Sequence, residues 1–139
     1  MLSKSLAVAL CLAGLGNVAE AADAPNLVGT WKTTGEFAAA RTGKTQPAFG
    51  ETPPFNNPKR VSFVVEKQEG RGFSGYRLLP DGSKDACVGV LKRDGKQALM
   101  NCDYGKVTLD FTGDVVESCF VSNLPDTKIA SCDVMRKTP

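Results

Sequence analysis

The feature that most constrains this chain is a two-residue alternation of apolar and polar side chains, cut at short intervals by turn residues from residue 60 onward. Alternation places successive side chains on opposite faces, so each run reads as a half-buried strand. "LVGTWKTTGEF" is the first. "RVSFVVEKQ", "GFSGYRLL", "ACVGVLKR", "KQALMNCD", "KVTLDF", "VVESCFVS" and "KIASCDVMRK" follow. No window of helical length carries an amphipathic period. The joints are "EG", "PDG", "DG", "DYG", "TGD" and "LPDT", tight turns that pair each strand with the next. A Greek-key sandwich needs a long crossing connection, and none follows residue 60. The expected fold is all-β: an eight-stranded antiparallel up-and-down meander closing into a barrel, which also removes exposed edges.

The register predicted by these turns can be checked on the cysteines. With Asp94-Gly95 as a two-residue turn, Arg93 faces Lys96 and Cys87 falls opposite Cys102. With Leu124 to Thr127 as a four-residue loop, Cys119 falls opposite Cys132. Directly opposed residues lie within disulfide reach. Ideal hairpin counting makes 87/102 a hydrogen-bonded pair, so a bulge or a crossed pairing between the hairpins stays open. Cys11 lies in the N-terminal apolar stretch, and the rival use of the other four cysteines is zinc, but no two form a C-x-x-C knuckle and the chain has no histidine. Disulfides are expected, and no metal or other cofactor. Lack of histidine also removes the commonest general base and the Ser-His and Cys-His nucleophile pairs. Asp110, Asp114 and Glu117 are not spaced to converge as a carboxylate pair, and no enzyme is expected.

Oxidised cysteines fit the N-terminus. "MLSK" supplies positive charge, "SLAVALCLAGLG" an apolar stretch too short to span a bilayer, and Ala19-Glu20-Ala21 an A-x-A cleavage signal. Residues 1–21 therefore read as a signal peptide, with Ala22 the alternative cut, and 22–139 as one domain. The expected location is periplasmic or secreted. A formal charge of +2, without a basic run, makes nucleic acid a poor partner. No second apolar stretch follows, so the mature chain is not expected to span a membrane.

One segment breaks the pattern. Residues 37–59, "FAAARTGKTQPAFGETPPFNNPK", carry Pro47, Pro53, Pro54 and Pro58 and read as a long irregular connection. Phe49 and Phe55 fit either a cover over a barrel end or a mobile loop with two aromatics tucked against the surface.

Gly29-Thr30-Trp31 on the first strand of such a meander resembles the opening of the calycins, the lipocalins and avidins. The resemblance implies an arginine from a late strand over the tryptophan, and Arg136 stands at the matching place. "EGRGFSGYR" resembles the Gly-Phe-x-Gly strand of avidins. The residues by which avidins hold biotin are replaced: Thr33 and Phe37 occupy the asparagine and serine positions, and Arg77 that of the tyrosine. Biotin is therefore not expected. The chain also resembles small periplasmic inhibitors of proteases and lysozymes, barrels that act through an inserted loop or arm.

Trp31 is expected to plug one barrel end. Taking Glu69-Gly70 as a turn pairs Phe63 with Tyr76 and Val61 with Leu78 on the inward face. Trp31, Thr33, Phe63 and Tyr76 then form the expected lining for a small apolar or amphipathic ligand. Glu117 is expected to face solvent, with Val116 and Phe120 inward. The alternative function is inhibition or capture of a hydrolase through the 37–59 loop. Oligomeric state is left open by the sequence.

Overall fold

A computed structural model of the protein describes residues 24–43 and 61–139. The eight strands are β1 (Gly29–Gly43), β2 (Ser62–Glu69), β3 (Gly72–Leu78), β4 (Lys84–Leu91), β5 (Gln97–Cys102), β6 (Gly105–Thr112), β7 (Val115–Ser122) and β8 (Thr127–Lys137). Each pairs antiparallel with its neighbour in sequence, and β1 pairs with β8, closing the barrel. The meander expected from the turns is the fold. The signal-peptide reading and the bulk of the 37–59 connection lie outside the described residues.

Alternation fills the interior. Trp31, Phe63, Val65, Phe73, Leu91, Met100, Leu109, Val116 and Met135 all point in and are buried. Two glycines make room for rings among them. A Cβ on Gly89 would sit 2.3 Å from the Phe73 ring, and one on Gly105 would sit 2.3 Å from the Phe120 ring. Glu117 is exposed and Val116 buried, as the sequence reading preferred.

Up-and-down connectivity puts the β2–β3, β4–β5 and β6–β7 turns at one end with the start of β1 and the end of β8. That end is closed by an arm, residues 24–28, folded back over the barrel. Trp31 Nε1–H donates to the Leu27 carbonyl at 3.0 Å, and Leu27 N–H donates to Gln68 Oε1 at 2.7 Å. The Gln68 amide donates in turn to the Pro25 and Gly70 carbonyls. Leu27 is driven into the core by this clamp and is 2% exposed. Polar groups that burial would strand are thus paired, while the side chains around them stay apolar.

Both disulfides join the partners expected from the turns: Cys87–Cys102 with Cα atoms 4.1 Å apart, and Cys119–Cys132 at 4.0 Å. The hydrogen-bond phase of the first hairpin differs from ideal two-residue counting. Lys92 N–H bonds to Gln97 O, and Gly95 N–H bonds back to Lys92 O. The hydrogen-bonded pair closing the loop is therefore 92/97 rather than 93/96. Register is unchanged, but every pair beyond the loop changes class, and 87/102 becomes a non-hydrogen-bonded pair, where side chains are closer. The two bridges also lie on opposite faces. Cys87 and Cys102 are buried inside the barrel, whereas Cys119 and Cys132 are half-buried on the outer face.

Three expectations need correcting. First, β1 does not end near Phe37: beyond a register shift between Thr33 and Phe37 it runs to Gly43 paired with β8, from Phe37↔Asp133 to Gly43↔Thr127. "FAAARTG" lacks an apolar alternation, so its strand character comes from its partner. Second, the β2–β3 register is shifted. The turn centres on Gly70 and Arg71, with Gly70 at φ 56°, a conformation glycine adopts without steric cost. A second shift between Val65 and Lys67 then sets Phe63 opposite Arg77 and Val64 opposite Tyr76. Leu78 accordingly faces Ser62, not Val61. Third, Arg136 does not cover Trp31. It pairs with Lys32 on the outer face and reaches Asp114 at 2.7 Å, while Lys137 is the residue opposite Trp31.

Candidate functional site

The four residues expected to line a ligand site are not gathered around one space. Trp31 and Phe63 are cross-strand neighbours in the core; Phe63 meets Phe73 edge-on with centroids 6.3 Å apart, and Trp31 meets Phe111 likewise at 6.0 Å. Thr33 lies at the β1 irregularity, half-buried, and its hydroxyl accepts from Gly35 N–H at 3.3 Å. Tyr76 is on the outside, where Lys84 Nζ sits 3.9 Å from its ring centroid. The one-residue shift in β2–β3 explains this, because side chains alternate with period two and a slip of one exchanges the faces.

What the shift brings inside instead is Arg77. Its guanidinium lies 3.2 Å from Asp85 Oδ2, with side chains only 11% and 0% exposed, and stacks on the Phe120 ring at 3.7 Å. Asp85 Oδ1 accepts the Tyr104 N–H at 3.1 Å, tying β4 to the β5–β6 turn. Asp133 on β8 is also buried and acts on Arg77. Burial pulls the Arg77 pKa below its ordinary value, with Asp85 and then Asp133 opposing that pull. An arginine nonetheless keeps its proton in such a setting. Reading the sequence alone misses this group because charged residues are outward by default. The signal was present: Asp85 shares a strand face with Cys87 and Leu91, and Asp133 with Met135.

The space beside Arg77 is small. A cavity of about 30 Å³ is bounded by Phe63, Arg77, Ser118, Phe120, Ser131 and Asp133 among others. That volume suits a water molecule, whereas small-molecule pockets run to roughly 300–1,000 Å³. Among the described residues the barrel interior is filled. Nor do these residues offer a metal centre. The acidic-cysteine groups Asp85-Cys87-Cys102 and Glu117-Cys119-Cys132 each contain a disulfide, leaving one carboxylate as the ordinary ligand.

A roomier site lies at the arm-covered end. A groove of about 670 Å³ runs between the arm, the β4–β5 turn and the β6–β7 turn. Leu27, Trp31 and Phe111 form its floor, and Lys96, Lys137 and Asp114 stand at its margins. Lys137 Nζ donates to the Asn26 carbonyl at 3.1 Å, and Asp114 is held by Arg136. The lining thus combines an apolar base, including the only tryptophan, with two ammonium groups.

No family model matches the chain, and no curated protein matches it. Among solved structures it is similar to the crystal structure of zebrafish ileal bile acid-binding protein complexed with cholic acid. The TM-score is 0.39 and the identity 11%, over 80% of this chain and 98% of that one. At that distance neither a role nor a functional residue is transferred from one to the other.

Proposed function

We propose that the protein is an exported, non-catalytic binding barrel that holds a small amphipathic molecule, an apolar body with an anionic head, at the Trp31 end. The observation that carries this reading is the groove floored by Leu27, Trp31 and Phe111 and flanked by Lys96, Lys137 and an Asp114 whose charge is met by Arg136. The apolar body packs on the aromatic floor, and an anionic head meets the ammonium groups at the margin. Export is supported by the signal-like residues 1–21 and by two disulfides, which persist in oxidising compartments. The absence of histidine supports a non-catalytic role. Biotin is not the proposed ligand.

Trp31 fluorescence reports on the groove directly, since no other tryptophan contributes. Titration with decanoate is expected to give a saturable change, and decanol of equal chain length a weaker one. Lys96→Glu should lower decanoate affinity about tenfold, through lost attraction and added repulsion. No saturable response to either probe would overturn the reading.

The alternative, capture of a protein partner through the 37–59 region, rests on the length and proline content of that segment. Deleting 44–57 and assaying capture of a host hydrolase separates the two readings, because the groove is untouched by that deletion.

A further inference from the structure

The glycine of Gly29-Thr30-Trp31 leaves a gap that another residue fills. Lys137 stands directly opposite Trp31 across the β1–β8 pairing, so the two side chains share the inner face of the wall. Gly29, two residues before Trp31, belongs to that face as well. Having no side chain, it lets the Lys137 stem cross it: a Cβ on Gly29 would lie 2.9 Å from Lys137 Cε. The stem ends on the arm, where Nζ donates to the Asn26 carbonyl at 3.1 Å. The next residue pins the backbone, since the Thr138 N–H and hydroxyl both donate to the Thr30 carbonyl, at 2.8 and 3.0 Å. Lys137 is half-buried in this setting, whereas Lys96, the other lysine of the groove, is exposed.

We propose that Lys137 is the specificity-determining residue of the groove: it selects a ligand with an oxyanion head and ties that head to the arm. The proposal rests on the reading of the Trp31 end as a ligand groove. An ammonium has three donors, and the Asn26 carbonyl takes one. Two are left for the oxygens of a carboxylate lying at the edge of the aromatic floor. A stem already held across Gly29 loses little further freedom when the head arrives, while exposed Lys96 must be ordered from solution. The Asp114 carboxylate at the groove margin is met by Arg136 at 2.7 Å. Because one ammonium holds both head and arm, each stabilises the other by linkage. A neutral ligand of equal length packs on Leu27 and Trp31 without that coupling.

Trp31 fluorescence titrations with decanoate and decanol, on the purified protein and on Lys137→Met and Lys96→Met, test this. The unaltered protein should prefer decanoate about thirtyfold. Lys137→Met keeps a stem of similar length and should bring decanoate to within about threefold of decanol. Lys96→Met should weaken decanoate only about threefold, as loss of a screened, exposed charge does. Amide exchange gives a second readout at Leu27 N–H, which donates to Gln68. Saturating decanoate should slow that exchange about tenfold, and decanol by less than about threefold. Thermal unfolding confirms that each variant is folded.

If Lys137→Met weakens both probes equally, Lys137 merely braces the arm and the proposal falls. It falls too if the variant keeps the preference for decanoate, and in both cases the groove reading stands. Equal slowing of Leu27 exchange by the two probes overturns the tie to the arm. Failure of the unaltered protein to bind either probe overturns the groove reading and this proposal with it.

Discussion

The two ends of the barrel are closed by different chemistry. At the Trp31 end, apolar groups do the sealing, and the few polar atoms are spent on backbone partners: the indole N–H on Leu27, the Gln68 amide on the arm. Toward the other end, a guanidinium lies between two carboxylates inside the barrel, with Phe120 against its plane. Burying apolar area stabilises any arrangement that achieves it, while a buried ion pair stabilises only the register that brings its members together. A slip of one residue in β2–β3 would put Tyr76 inside and leave Asp85 without a cation. We read the first end as the source of stability and the second as the device that fixes strand alignment.

The largest effect should come from removing the plug. Trp31→Ala opens a cavity against Phe111 and leaves the Leu27 carbonyl without its donor, and should cost about 4 kcal/mol in denaturant unfolding. Arg77→Met should cost about 3 kcal/mol, because it leaves Asp85 buried and unpaired. Arg77→Met combined with Asp85→Leu should recover most of that loss. Recovery in the double variant would sharpen the contrast: the ion pair would contribute alignment more than net stability. A double variant no better than the single would break it.

The disulfides extend the comparison to the two faces of the wall. Cys87–Cys102 lies inside, and Cys119–Cys132 is half-buried outside, so access to an attacking thiolate differs. Mild reduction followed by alkylation and mass mapping should label Cys119 and Cys132 first, with Cys87 and Cys102 protected until the barrel opens. Replacing Cys119 and Cys132 by serine should cost about 1–2 kcal/mol, less than the entropy of a free loop implies, since the hairpin already holds them close.

The smallest expected effect is in the β3–β4 turn at the polar end. The Ser83 hydroxyl and N–H bond to Asp81 Oδ1 and hold its carboxyl below the ordinary aspartate pKa. A folded-state pKa lowered in this way favours the turn above the unfolded value, and the contribution is lost as pH falls through the folded one. Asp81 is fully exposed, so the change should register in the turn's own amide shifts in an NMR titration and not in global stability.

Much of this fold was legible because turn residues are strong local signals. Asp94-Gly95 and the loop at Leu124–Thr127 placed Cys87, Cys102, Cys119 and Cys132, and the structure joins the expected partners. The hydrogen-bond phase at Lys92–Gln97 was not legible, since a two-residue and a four-residue loop share one register. Tyr76 was misplaced by a turn centred one residue later, which moves the pairing by two and keeps the faces, and by a shift at Val65–Lys67, which moves it by one and exchanges them. Arg77, Asp85 and Asp133 stayed hidden for a related reason. Each looks like a solvated charge on its own strand and becomes a buried cluster only when Arg77 and Asp85 are in register across β3–β4 and β8 closes the barrel with Asp133. The groove was half visible: Trp31 was singled out, but its arm partner Leu27 and the lysines at 96 and 137 come from opposite parts of the chain.

The most direct test is an amide and indole NMR titration of the protein with decanoate. The expected result is saturable shifts at Leu27, the Trp31 indole N–H, Gly95, Lys96 and Gly113, with Arg77, Asp85 and Ser131 unmoved. Shifts centred on Arg77, Ser118 and Ser131 with a silent Trp31 end would contradict it and return the ligand to the barrel interior.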